Sequence, residues 1–150
     1  MSIYLLSKQE KRLTALTHAK MMVEILPEEM EKSPSTALRI AAIEAWFVNI
    51  RLISEFFRLA GKESDKDFSM NSFDNQILVQ DSTKEEFEKL WLLASQHVVH
   101  FSEARTQDID QNNPQFDIGK ENLQRISKIA SDLCGEFLIL NTHKLDQESE

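Results

Sequence analysis

Three glycines and three prolines are all that punctuate the 150 residues of this chain. An all-β domain of that length needs many more turn residues, so helices are favoured. Cys134 is the only cysteine, which excludes an internal disulfide and suits a reducing compartment. Cys134 also lies in an apolar helical stretch with no histidine nearby in sequence, a poor setting for a nucleophile. There is no Gly-x-Ser-x-Gly elbow and no phosphate-binding glycine loop, which excludes the common serine-hydrolase, NTPase and dinucleotide-enzyme designs. No stretch approaches the ~20 apolar residues of a membrane span. The opening MSIYLLSK has only a short apolar run with no basic region before it, too short for a secretory leader. The expectation is a cytoplasmic protein without a membrane association.

What is present is ordinary for a globular protein: 41% apolar and 28% charged residues, with a net charge of −8. The acidic balance disfavours nucleic acid, whose affinity is built from lysine and arginine on phosphates, although a local patch leaves RNA open. By length, residues 1–150 form one domain, large enough to bury ~70% of its unfolded surface.

Four helical segments can be read along the chain. Ser7-Lys8-Gln9-Glu10 has capping-box spacing, and Leu13, Leu16, Ala19, Val23 and Leu26 follow at helical intervals until Pro27 closes the segment. The acidic turn PEEMEK carries a partial helix. Ser33-Pro34 restarts the chain, with the serine as cap and the proline in the first turn, and a central helix of roughly 26 residues, ~39 Å long, runs to Gly61 as a left-handed stop. Residues 62–82 lack a helical period, yet Phe68, Met70 and Phe73 pin this loop to the body. Ser82-Thr83-Lys84-Glu85 opens a third helix with Phe87, Leu90, Trp91, Ala94, Val98 and Phe101 on its buried stripe. After TQDIDQNNPQFD, the fourth helix carries Leu123, Ile126, Ala130, Leu133, Phe137 and Leu140. The predicted fold is all-α: a four-helix up-down bundle with a long ordered loop between helices 2 and 3.

Polar chemistry concentrates on the second and third helices. At 100° per residue, Glu44, Arg51, Glu55, Arg58 and Lys62 share one wedge of the central helix. The rest of that helix is apolar nearly all round, including Leu38, Leu52 and Phe56, so the bundle or a second subunit should cover it. The wedge reads either as a solvated, self-paired stripe, with Arg51 and Glu55 four apart, or as part of a site. Asn49 points into the apolar face and needs a partner, expected on a neighbouring helix, because an unpaired buried amide costs about 1–3 kcal/mol.

In HVVHFSEAR, Arg105 falls on the buried line of the third helix, with Glu44 and Glu55 as candidate partners. His97 and His100 lie on its shoulder. Three readings stay open: satisfied structural histidines; acid–base or RNA-cleaving chemistry with His97 or His100 moving protons and Arg51 or Arg105 holding phosphate; and a metal held by both histidines with a carboxylate. The Glu-x-x-His pairs of di-iron bundles are absent. No cofactor is indicated. His18 and His143 read as surface residues.

The stretch EAWFVNIRLISEFF resembles the first signature of a group of uncharacterised bacterial helical proteins, approximately E-x-F-L-x-H-x-R-x-L-x-E-F-F. HVVHFSEAR resembles their second, H-L-x-H-L-T-x-x-R. The acidic-aromatic loop SDKDFSMNSF lies between the two, as in that group. Position by position, the matched polar residues are Glu44, Arg51, Glu55, His97, His100 and Arg105, and Asn49 stands where the group more often has histidine. The match covers roughly residues 40–105. The group is similar in style to HEPN domains, helical bundles that often dimerise and of which many are RNases with an Arg-x4-6-His motif. In this chain the arginine follows the histidines instead. The resemblance implies a helical bundle, a dimer, and RNase activity as the enzymatic possibility. The leading expectation is a module acting by association, as a homodimer through the central helix or with another protein partner. The matched residues Glu44, Arg51, Glu55, His97, His100 and Arg105 would then form a structural network linking the second and third helices, with Asn49 and Arg58 as further members.

Overall fold

The structure, a computed structural model, describes residues 7–60, 69–95 and 119–148, with side chains through residue 142. Among the described residues it is a bundle of four α-helices without strands: α1 (Lys8–Lys32), α2 (Thr36–Phe56), α3 (Asp81–Ala94) and α4 (Lys120–Glu148). In the described part of the connection from α2 to α3 lies a 3-10 turn, Met70–Ser72.

Helix α1 starts as its sequence predicts. The Ser7 Oγ accepts from the Glu10 amide at 3.1 Å, and the Ser7 amide donates back to Glu10 Oε2 at 2.6 Å. Leu13, Leu16, Ala19, Val23 and Leu26 are all buried. Pro27 does not close the helix, which continues through PEEMEK to Lys32. Proline removes one hydrogen bond to the Val23 carbonyl, but Met30 beyond it packs on the core and Glu28 pairs with Lys32. The break falls at Ser33 because the residue before a proline is pushed out of the helical region; Ser33 has ψ 125°. The cap of α2 is therefore Ser35, not Ser33, and Pro34 sits in the link between the helices.

The second correction is at the end of α2. The helix is 21 residues long and stops at Phe56 rather than running to Gly61, a position outside the described residues. Leu59 N–H donates to the Ser54 carbonyl at 2.8 Å and Arg58 N–H to the Glu55 carbonyl at 3.2 Å, the two bonds of a Schellman motif. Arg58 takes the left-handed position, with φ 59°. A side chain there costs about 1–2 kcal/mol. The turn drives Phe57 and Leu59 into the core, both buried, and fully burying one such residue contributes about 1.5–3 kcal/mol. Burial decides the geometry.

The third helix also begins earlier than its capping-box spacing suggests. It starts at Asp81 with Gln80 at the cap and no side-chain cap bond. Phe87, Leu90 and Ala94 are buried; Val98 and Phe101 lie outside the described residues. On α4, Ile126, Ala130, Cys134 and Phe137 are buried, but Leu140 is 42% exposed.

Helix α2 packs against α1, α3 and, over a smaller area, α4; α1 also packs on α4. The described half of the long loop is pinned to this body as expected. Phe73 is buried and joins an edge-to-face cluster with Phe56, Phe57 and Phe137, its ring 5.1 Å from Phe137. Asn75 and Asn141 clip the loop to α4, Asn75 Nδ2 donating to the Leu140 carbonyl and Asn141 Nδ2 to the Asn75 carbonyl. Met70 packs on the core, whereas Phe68 is outside the described residues.

Candidate functional site

Two polar joints hold α2 to its neighbours. The first is sealed. Trp46 is wholly buried, and its indole N–H donates to Ser127 Oγ on α4 at 2.8 Å. The second lies between α2 and α3 and is half-open. Glu55 Oε1 accepts from Arg51 Nε at 3.1 Å and from the indole N–H of Trp91 at 2.9 Å. The Arg51 guanidinium also sits 5.4 Å from the centroid of the Trp91 ring, within cation–π range. One carboxylate oxygen thus ties both helices, and the aromatic face covers the arginine.

The expected pairing of Arg51 with Glu55 is present. The apolar stripe of the third helix accounts for Trp91 only as a core residue; its half-buried position and indole donor make it the polar anchor of α3 on α2. The signal was in the residue type, since a tryptophan at a wet margin usually finds an acceptor. Asn49 is buried, but its amide donates to the Ala45 carbonyl of its own helix at 2.8 Å, rather than to a neighbouring helix as expected. Glu44 and Arg58 are half-buried beside the same region. His97, His100, Arg105 and Lys62 lie outside the described residues. Ser95, one turn after Trp91, has a buried hydroxyl with no partner among the described residues.

No group of three or more histidine, cysteine or carboxylate side chains able to hold a metal occurs among the described residues. Cys134 is wholly buried, and burial pushes its thiol up to about 12. A thiol so far from ionisation is not a nucleophile at neutral pH. A groove of about 460 Å³ runs between α1 and α4, with Glu24, Glu28 and Glu31 on one wall and Ser127, Lys128 and Ser131 on the other. Its carboxylates are already partnered: Glu24 by Lys20 and Ser131, Glu28 by Lys32, Glu31 by Lys120. Hydrogen bonds from Lys20 and Lys32 hold Glu24 and Glu28 below the usual carboxylate range.

The remaining feature is apolar. Leu38 is 62% exposed, Val48 38% and Leu52 50%, and they lie on one line of α2 with exposed Ala41 and half-buried Ala45. Of the two covers expected for α2, the bundle or a second subunit, the bundle covers Trp46, Phe47, Ile50, Ile53 and Phe56 and not this line. Elsewhere exposed apolar residues occur singly or in short steps, such as Met21 and Ile25 on α1, which is normal for a protein surface.

The chain matches no family model, no curated protein and no solved structure. No described helix is long and apolar enough to cross a membrane.

Proposed function

We propose that this protein is an acidic helical-bundle module that acts by association with another protein surface rather than by catalysis. The observation that carries the reading is the uncovered apolar line of α2, where Leu38, Val48 and Leu52 stand 62%, 38% and 50% exposed. Aligned apolar exposure marks interaction surfaces more often than scattered exposure does. The polar wedge beside it supports the same reading. Arg51 is engaged by Glu55 and Trp91, which suits a structural tie between helices better than a phosphate-holding role in an RNase.

The reading requires that the apolar line be free surface and not core. A Leu38→Asp/Leu52→Asp protein tests this by urea unfolding at submicromolar concentration. Its stability stays within about 0.5 kcal/mol of wild type, as for other surface changes. A loss of about 2 kcal/mol or more, the magnitude of a core defect, ends the reading.

A further inference from the structure

We propose that the segment from Asn75 to Gln80 is an open strand edge that takes up, by backbone pairing, an extended lysine- or arginine-bearing segment of another protein. This surface is separate from the apolar line of α2 and does not depend on it.

The segment reads NQILVQ: uncharged, with isoleucine and valine as strand formers. Phe73 before it and Gln80 at its end have extended backbone. Between them burial alternates at every residue. Phe73, Asn75, Ile77 and Val79 are buried or half-buried, and Asp74, Gln76, Leu78 and Gln80 are exposed. A period of two is the mark of a strand lying on a core. Yet no strand accompanies it among the described residues. Phe73 N–H donates to the Met70 carbonyl and the Gln80 carbonyl accepts from Lys84 N–H, both within their own turns. Among the described residues, the peptide groups of Gln76, Ile77, Leu78 and Val79 have no protein partner.

In extended backbone one residue turns its N–H and C=O to the same edge, and the next residue turns its pair to the other. The Asn75 carbonyl is taken by Asn141 Nδ2 of α4 at 3.3 Å, so that edge faces α4. Gln76 and Leu78 present their peptide groups on the opposite edge, and Leu78 is fully exposed. Such a row of unpaired groups is a template for an added strand. At about 20 Å it has the length of an ordinary strand. Phe73 and Ile77, both buried, and the asparagine clips to α4 hold it in place. An arriving partner therefore has only itself to order.

Charge selects the partner. Asp74 and Asp81 stand at the two ends, both exposed, and no lysine or arginine occurs from residue 69 to 83. Two copies pairing antiparallel here would set aspartate beside aspartate, and charges so placed keep edge strands from joining their like. The same aspartates attract a basic strand, with an apolar residue of that strand beside Leu78.

The probe is a capped octapeptide of alternating lysine and valine, followed by NMR on the full chain. In the free protein the amides of Gln76 and Leu78 exchange with solvent as fast as in an unstructured peptide. On binding they shift and exchange at least tenfold more slowly, and salt weakens the binding. A version N-methylated at the valines and one N-methylated at the lysines bind unequally, because only one edge of the incoming strand faces the protein. Leu78→Lys unfolds at the wild-type urea concentration and binds the peptide at least tenfold more weakly. Leu38→Asp/Leu52→Asp binds it as wild type does, so a closed face on α2 would leave this result untouched. Slow exchange at Gln76 and Leu78 in the free chain overturns the proposal, since the edge is then already covered. So does the absence of binding up to about 1 mM, equal binding of an alternating threonine–valine peptide, equal binding of the two N-methylated forms, or shifts confined to α2.

Discussion

The two sides of α2 are built from similar residues and meet opposite fates. On one side Trp46, Ile50 and Ile53 are wholly buried, and the one polar atom among them is satisfied by Ser127 of α4. On the other side Leu38, Val48 and Leu52 remain in water. Hydrophobicity alone does not distinguish these sides; the positions of α1, α3 and α4 do. A helix apolar all round has more greasy surface than three neighbours can cover, and the uncovered part becomes the surface available to a partner.

Breaking the sealed side should give the largest effect. Trp46→Ala removes a buried indole and leaves a cavity, and a loss of about 3–5 kcal/mol in chemical denaturation is expected. Ser127→Ala leaves the volume almost unchanged but strands the Trp46 N–H. A loss of about 1–3 kcal/mol is expected, the penalty for an unsatisfied buried donor; no loss would mean that the indole finds another acceptor.

The end of α2 offers a change of opposite sign. Arg58→Gly relieves the left-handed residue of its side chain, and a gain of up to about 1 kcal/mol is expected in thermal unfolding. A loss would show that contacts of the arginine outweigh its backbone strain.

The smallest effect concerns the ion pair that links α3 to α4. Arg125 meets Glu86 in a two-pronged contact, with Nη1 3.1 Å from Oε2. The hydrogen bond from Arg125 holds the Glu86 carboxyl below its ordinary range. A carboxyl lowered on folding contributes stability above its unfolded value of about 4.3, and that contribution disappears as pH falls through the lower folded value. Because both side chains are partly exposed, the effect is modest. Glu86→Gln should flatten the acid limb of a stability–pH profile below about 4.3 and leave the slope at neutral pH unchanged.

How much of this was legible in the sequence depends on whether a residue's role is local. The face of α1 was readable because five apolar residues recur at helical spacing and all of them are buried. The helix ends were less so. Pro27 and Gly61 are strong stop signals, yet packing of Met30 carried α1 past the first, and burial of Phe57 and Leu59 ended α2 before the second. The Arg51–Glu55 pair was readable from its spacing of four. Its third member, Trp91, lies 36 residues away from Glu55 in sequence, and no local pattern announces such a contact. Likewise the apolar character of Leu38 and Leu52 was evident, but whether a helix would cover them is a property of the assembled bundle.

Urea unfolding of the wild-type chain beside Leu38→Asp/Leu52→Asp tests the central claim most directly. The variant should unfold within about 0.5 kcal/mol of wild type, because the apolar line it changes is surface. A loss of about 2 kcal/mol or more, the size of a core defect, would contradict it.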